Sequence, residues 1–313
     1  MGTETTATSA GVPGRDPLPS GSPSGAGALS ALSAAALWGG MYVVSKDTFS
    51  RVPPVTLGAL RLVVAGAALS LLLRRRGRFR WPRDPRLVLA GVLLAGTMVV
   101  QFVGTDLATA SEGALLTTTT PLFIVPLGWA FLSERPRWPT LAGILIGLAG
   151  VILAVRGGLE LDATLLGPAL LLLSALGWAG YTIASAPVAR TEGPLIAVTW
   201  ASLIALPLVG LLSLTEAGRW NAEALTEPTT VAAIAYLGLG ASAAAWYLWN
   251  RGVAELPAAV AGAFFFLQPA VGGLLAWPIL GERPTGRFIA GAVLIMAGVL
   301  VALRFAPTRV TEE

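Results

Sequence analysis

The sequence predicts an all-α polytopic membrane protein with ten transmembrane helices, arranged as two inverted five-helix repeats. Three observations lead there. Hydrophobic residues make up 55% of the 313 and charged residues only 12%, against about 25% charged in a soluble domain, and the mean hydropathy is +0.73. The apolar residues fall in runs near the ~20 needed to cross about 30 Å of hydrocarbon as helix. Finally, one segment is written twice: PLFIVPLGWAFLSERP at 121–136 and PAVGGLLAWPILGERP at 269–284.

Residues 1–28 are rich in Gly, Pro, Ser and Thr. Such a segment cannot bury a core and reads as a disordered N-terminal tail. With no basic stretch leading into a short apolar run, a cleaved signal peptide is not expected. Ten spans follow, at roughly 29–46, 54–73, 87–104, 113–132, 138–155, 165–186, 194–214, 229–249, 258–280 and 287–304. Residues 305–313 form a short tail. The connections carry Pro, Gly or charge, as in RVPP, SERPRWP, RTEGP and GERP. Continuous runs such as LLGPALLLLSALGWAG lack the dyad alternation of a membrane β-barrel.

Orientation follows the placement of arginine and lysine. The connection RRRGRFRWPRDPR holds seven arginines between 74 and 86. With that loop inside, both termini are cytoplasmic, and inner segments hold 14 basic residues against 6 outside. The location expected is a cell membrane, crossed many times.

Residues 121–154 match 269–302 at 13 of 34 positions without a gap. Earlier in each half Trp38 pairs with Trp178, Gly40 with Gly180 and Ser45 with Ser185. The units are therefore 29–155 and 165–304. Five spans per unit is odd, so the second copy enters from the opposite side. Inverted repeats of this kind place a site near the midplane and let one arrangement exchange with its mirror.

LWGGMYVVSK (37–46), TLGALRL (56–62), ATASEGALLTTTTPLFIVPLGWAFLSERP (108–136) and ELPAAVAGAFFFLQPAVGGLLAWPILGERP (255–284) together resemble the EamA-type family of the drug/metabolite transporter (DMT) superfamily. The resemblance covers nearly the whole chain outside the tail. It implies two inverted five-helix EamA repeats around a central cavity, and export of amino acids, other metabolites or drugs. The chain departs from an even repeat in having Ala179 opposite Gly39 and no second copy of Arg61.

Arg61 is the one formal charge well inside a span. A central arginine costs about 2.5–3.5 kcal/mol on insertion scales, while the nine Leu and Val of 56–73 return roughly 3–5. It is expected either to form an ion pair with Asp106 or Glu112, or to serve as counter-charge for an anionic solute. Polar and aromatic residues form stripes at helical spacing: Trp38, Tyr42 and Ser45; Thr97, Gln101 and Thr105; Ser174, Trp178, Tyr181 and Ser185; Ser242, Trp246 and Asn250. Within a membrane, hydroxyls and amides face the protein interior, so these stripes either enclose a cavity or bond helix to helix. Thr117 and Thr120 before Pro121, and Gln268 before Pro269, either satisfy carbonyls freed by the prolines or bind solute. Glu134-Arg135-Pro136 and Glu282-Arg283-Pro284 read as turn and helix-start elements. Gly143, Gly147 and Gly150, with Gly291 and Gly298, make small faces for close packing within a chain or in a possible homodimer. Trp81, Trp138 and Trp220 fall at span ends, as an aromatic belt does.

The chain has no His and no Cys, no midplane carboxylate and no GxxxxGK[ST] loop, so proton relays of the Asp/Glu/His kind, disulfides and that mode of ATP binding are not expected. An enzyme is not expected, nor a metal, a cofactor or a nucleic-acid partner. The partners expected are a small-molecule substrate and the bilayer. The function expected is secondary export of small amphipathic metabolites by alternating access. The alternatives are a multidrug efflux carrier of the same fold, a membrane-embedded enzyme or a non-transporting subunit.

Overall fold

The computed structural model describes residues 24–108, 110–154, 165–271 and 286–305. The Glu282-Arg283-Pro284 segment, Trp277, most of the N-terminal tail and residues 306–313 lie outside them. All regular structure among the described residues is helical. Seven helices are long and apolar enough to cross a membrane: 25–48, 54–75, 86–107, 113–132, 166–191, 194–219 and 228–255. Three shorter apolar helices cover 138–153, 258–271 and 289–304. Apolar side chains point outward along them: Val63, Leu89 and Ile152 are each half or more exposed, as faces that meet lipid are.

The sequence dictates the breaks within the spans. Helix α1 (Gly25–Trp38) gives way at Gly39-Gly40 to α2 (Met41–Thr48). The Tyr236 hydroxyl donates to the Leu37 carbonyl at that break, at 2.7 Å. Helix α3 spans Pro54–Arg75, with Pro54 in its first turn, and α4 spans Arg86–Leu107. Helix α5 (Ala110–Thr117) stops two residues before α6 (Thr120–Leu132). Pro121 has no N–H to offer the carbonyl of Thr117. The Thr120 hydroxyl donates to that carbonyl instead, at 2.6 Å. Helix α6 closes on Ser133 in the left-handed conformation (φ 54°).

After α7 (Trp138–Ala154) come α8 (Leu166–Thr191) and α9 (Pro194–Ser213). A 3-10 turn (Leu214–Arg219) and the short α10 (Ala222–Thr226) lead to α11 (Pro228–Ala235). The chain then widens into a π-helix over Tyr236–Ala244 before α12 (Ala245–Glu255). Helix α13 (Ala258–Ala263) tightens into a 3-10 turn at Phe264–Phe266, and α14 (Gly286–Arg304) ends the described chain.

The main packing partners cross between the two halves: α7 lies on α14, α3 on α9, α6 on α13, α4 on α8 and α1 on α12. Exchanging the halves maps the α4–α8 contact onto α12–α1, but α6 also lies on α8 without a comparable α13–α1 contact among the described residues. The pairs run antiparallel. A Cβ on Gly143 would lie 2.7 Å from the Gly298 oxygen, and one on Gly150 would lie 2.7 Å from that of Gly291. Rising numbers on α7 thus meet falling numbers on α14. Only glycine permits two backbones this close, and this small face is consumed inside the chain.

The arginine-rich connection folds onto the start of α9. The Glu192 carboxylate accepts from the backbone N–H of Arg83 and Asp84 and pairs with Arg80 at 3.1 Å. Trp200 donates to the Arg80 carbonyl at 2.8 Å and meets Trp81 edge-on at 4.8 Å. At the opposite end of α3, Glu216 accepts from the backbone N–H of Val55 and Thr56, at 3.2 and 2.8 Å. A carboxylate at a helix start satisfies otherwise orphaned donors and opposes the helix dipole favourably.

Candidate functional site

A partly open cavity lies between the halves. The first half contributes Trp38, Met41 and Tyr42 at the Gly-Gly break, Arg61 from α3, Gln101 from α4, and Thr117 and Thr120 around the α5–α6 break. The second contributes Ser174, Ala175 and Trp178 from α8, Trp246 from α12, and Phe265 and Gln268 beside the 3-10 turn. Several of these positions sit where a helix is interrupted, where backbone groups lose their helical partners.

Arg61 is 1% exposed. Its Nε donates to Ser242 Oγ at 2.7 Å, its Nη2 to the Ala241 carbonyl at 3.3 Å and its Nη1 to the Met41 sulfur at 3.4 Å. The guanidinium lies 5.1 Å from the Phe102 ring centre and 5.3 Å from that of Trp246. Cation–π contacts of this kind are worth about 0.5–2 kcal/mol. The expected ion pair with Asp106 is not formed, and the Glu112 side chain lies outside the described residues. The Asp106 carbonyl, with those of Thr105 and Ala108, accepts instead from Lys46 Nζ at 2.7–3.2 Å.

The π-helix explains how neutral groups serve the arginine. Its wide turn lets Ser242 donate to the Leu237 carbonyl five residues back, at 2.6 Å. The Ala241 carbonyl is thereby left to Arg61 and to the Trp38 indole N–H, the latter at 2.9 Å. Gly238 admits the close pass of α3: a Cβ there would meet Val64 at 2.6 Å.

One wall is a directed hydrogen-bond chain. Gln101 Nε2 donates to the Tyr42 oxygen at 2.9 Å. Tyr42 and Thr117 share a short bond, and Thr117 Oγ1 donates to the Gly113 carbonyl at 2.6 Å. A hydroxyl carries one hydrogen, so the Tyr42 hydroxyl is the donor to Thr117. The other wall is aromatic. Trp38 meets Trp178 edge-on with ring centres 5.3 Å apart, and Phe265 lies 5.4 Å from Trp38.

Of the eleven residues singled out in the sequence, Trp38, Tyr42, Arg61, Gln101, Thr117, Thr120, Trp178, Trp246 and Gln268 share this cavity. Tyr181 and Asn250 are not among its lining residues. Asn250 Nδ2 donates to the Tyr181 hydroxyl at 2.7 Å and to the Trp246 carbonyl at 2.8 Å, behind the wall. Asn250 is fully buried within α12. Met41, Ala175 and Phe265 were not singled out. The FFF run at the place equivalent to Thr117 was the available signal for Phe265.

A second polar cluster departs from expectation. Glu134 closes the turn after α6 through its backbone, its N–H donating to the Gly128 carbonyl at 3.1 Å, but its side chain reaches far beyond that turn. Its Oε1 accepts from Arg190 Nη2 at 2.8 Å and its Oε2 from the Ala258 backbone N–H at 2.7 Å, while Arg190 Nε donates to the Val253 carbonyl at 3.3 Å. One carboxylate of the first half thus joins three helical segments of the second.

Apolar helices packed around a buried polar and aromatic cavity, with relatively few charges for the chain's length, define a multi-pass membrane protein of the transporter class. The EamA-like transporter family model matches residues 25–156 and again 165–304, and the chain belongs to that family; it is a transporter and not an enzyme. The chain is 28% identical over 289 residues to "Uncharacterized transporter YetK" of Bacillus subtilis, covering 88% of this chain and 87% of that one. It is 29% identical over 283 residues to a "Probable amino-acid metabolite efflux pump" of Salmonella typhimurium, covering 87% and 92%. It is 32% identical over 256 residues to a "Probable terminal-alkyne amino-acid exporter" of Streptantibioticus cattleyicolor, covering 79% and 83%. A solved crystal structure superposes with a TM-score of 0.74 at 25% identity, covering 90% of this chain and 98% of the other.

Proposed function

We propose that the protein is a secondary exporter of small amphipathic organic metabolites, amino acids or related solutes. It works by alternating access of two inverted five-helix repeats, ten transmembrane helices in all. The observation that carries this is the cavity itself, built from both halves and lined by buried polar and aromatic groups. The antiparallel course of the equivalent helices α7 and α14 supports inversion, because equivalent helices of parallel repeats run the same way. The packing of helices across the halves supports alternation, because inverted repeats can exchange an asymmetric arrangement for its mirror. The names of the Salmonella and Streptantibioticus relatives support the solute class and the outward direction. The seven arginines of 74–86 support cytoplasmic termini.

The nine candidate residues at the cavity, Arg61, Tyr42 and Gln101 among them, are assigned to solute binding. Tyr181 and Asn250 support them from behind the wall. Reconstitution into liposomes, with radiolabelled amino acids and related metabolites assayed with and without a pH gradient, tests the reading. Saturable flux above that of empty liposomes is expected; its absence across the panel overturns the assignment.

A further inference from the structure

Resting on that transport reading, we infer that the cavity recognises a carboxylate, and that the solutes carried are monocarboxylates with an apolar or aromatic body in which an α-amino group is dispensable. Three residues that line the cavity carry N–H groups without partners among the described residues. A guanidinium has five N–H groups, and Arg61 gives three of them to neutral acceptors, leaving two. Gln268 is 3% exposed, and its Nε2 has no partner among the described residues. Trp178 is 8% exposed, and its indole N–H likewise has none. All three residues line the same space.

A buried donor left unpaired is costly, and a buried charge held only by neutral groups more so. A carboxylate relieves both at once, because it is an acceptor with two oxygens and the charge that Arg61 lacks. The lining contains no Asp or Glu among the described residues, so no carboxylate there pairs with an ammonium group, which is left to aromatic faces and neutral oxygens. The hydroxyl of Tyr42, which could otherwise attract a cation, is already engaged with Gln101 and Thr117. The faces of Trp38, Trp178 and Phe265 suit an apolar body.

Binding and counterflow by the full chain in lipid, with matched sets of solutes, test this. Each set keeps one body (phenyl, indolyl or branched alkyl) and varies the head: the carboxylic acid, the amino acid, the amino-acid amide and the alcohol. The acid and the amino acid are expected to bind within a few-fold of each other. The amide and the alcohol are expected to bind about tenfold or more weakly, the scale of a charge-assisted hydrogen bond. Arg61→Gln is the obvious variant but removes a structural contact to Ser242 as well. Trp178→Phe removes the indole N–H with part of the ring, and Gln268→Leu removes the whole amide; each is expected to weaken the acids several-fold more than the matched alcohols, so the readout is the acid-to-alcohol ratio.

Amides bound as well as acids, or acids bound as well by both donor variants as by the parent, overturn the carboxylate assignment while transport stands. If no member of any set is bound or carried, both readings fall.

Discussion

Glu134→Ala is the sharpest perturbation of the scaffold. The substitution removes a carboxylate that is nearly buried, its side chain 7% exposed, while its partner Arg190 is 17% exposed. Two bonds disappear: the 2.8 Å contact to Arg190 and the 2.7 Å contact to the Ala258 N–H. Breaking a fully buried pair from one side costs about 3–5 kcal/mol. Arg190 keeps the Val253 carbonyl and reaches some water, so the expected loss is about 2–3 kcal/mol, within the range of one or two charge-assisted hydrogen bonds. Glu134→Gln keeps an acceptor for Ala258 and should lose about half as much. Denaturant titration of the purified full chain measures both. A double-mutant cycle with Arg190→Ala isolates the pair, with a coupling of about 1–2 kcal/mol expected for neighbours in one network. A Glu134→Ala protein within about 0.5 kcal/mol of the parent, the range of an ordinary surface substitution, would refute the clamp.

Three further outcomes are expected. Gly143→Ala places a methyl 2.7 Å from the Gly298 oxygen and 2.8 Å from the Ala302 nitrogen, and should cost about 1–3 kcal/mol by overpacking. Gly210→Ala in α9 meets nothing within 4 Å and should be neutral or stabilising by up to about 1 kcal/mol; thermal melts of the two proteins decide. Since the chain has no cysteine, single cysteines at the equivalent positions 135, which is exposed, and 283 report sidedness without touching the Glu134 clamp, and membrane-impermeant labelling should reach them from opposite faces. Trp38→Ala and Trp178→Ala open the edge-on pair and should change which solutes compete in counterflow, an effect read from inhibition profiles rather than from total flux.

Helical class, the membrane as solvent and the duplication were all legible, because composition and spacing write them directly. Local interruptions were partly legible. Gly39-Gly40 and Thr120-Pro121 each mark a break, since glycine and proline act on the backbone where they stand. Partners were not legible. Arg61 stood out as a lone charge, yet its acceptors lie 180 and 181 residues away on a π-helical turn, which no periodicity announces. Glu134 read as a turn residue because its partners are 56 and 124 positions distant. The glycine face of 143–150 was visible as a face, but only the fold shows that α14 covers it.

The two halves share a scaffold but not a lining. At the places of Tyr42, Arg61, Gln101, Thr117 and Thr120, the second half has Thr182, Ala201, Trp249, Phe265 and Gln268. One contact survives the exchange in altered form: Gln101 donates to Tyr42, and Trp249 donates to Thr182 at 3.2 Å. Amide, hydroxyl and guanidinium thus gather largely on the first half, and indole and phenyl rings largely on the second. On the proposed reading, an amphipathic solute lies with its polar head toward Arg61 and its body against the ring faces of Trp38 and Phe265. Under the proposed alternating access, exchange of the repeats would move the openings and not the lining, so the same head would keep the same contacts whichever side is open. A symmetric lining would bind either end of the solute equally and would discriminate by size alone; the asymmetry supplies the polarity on which selection acts.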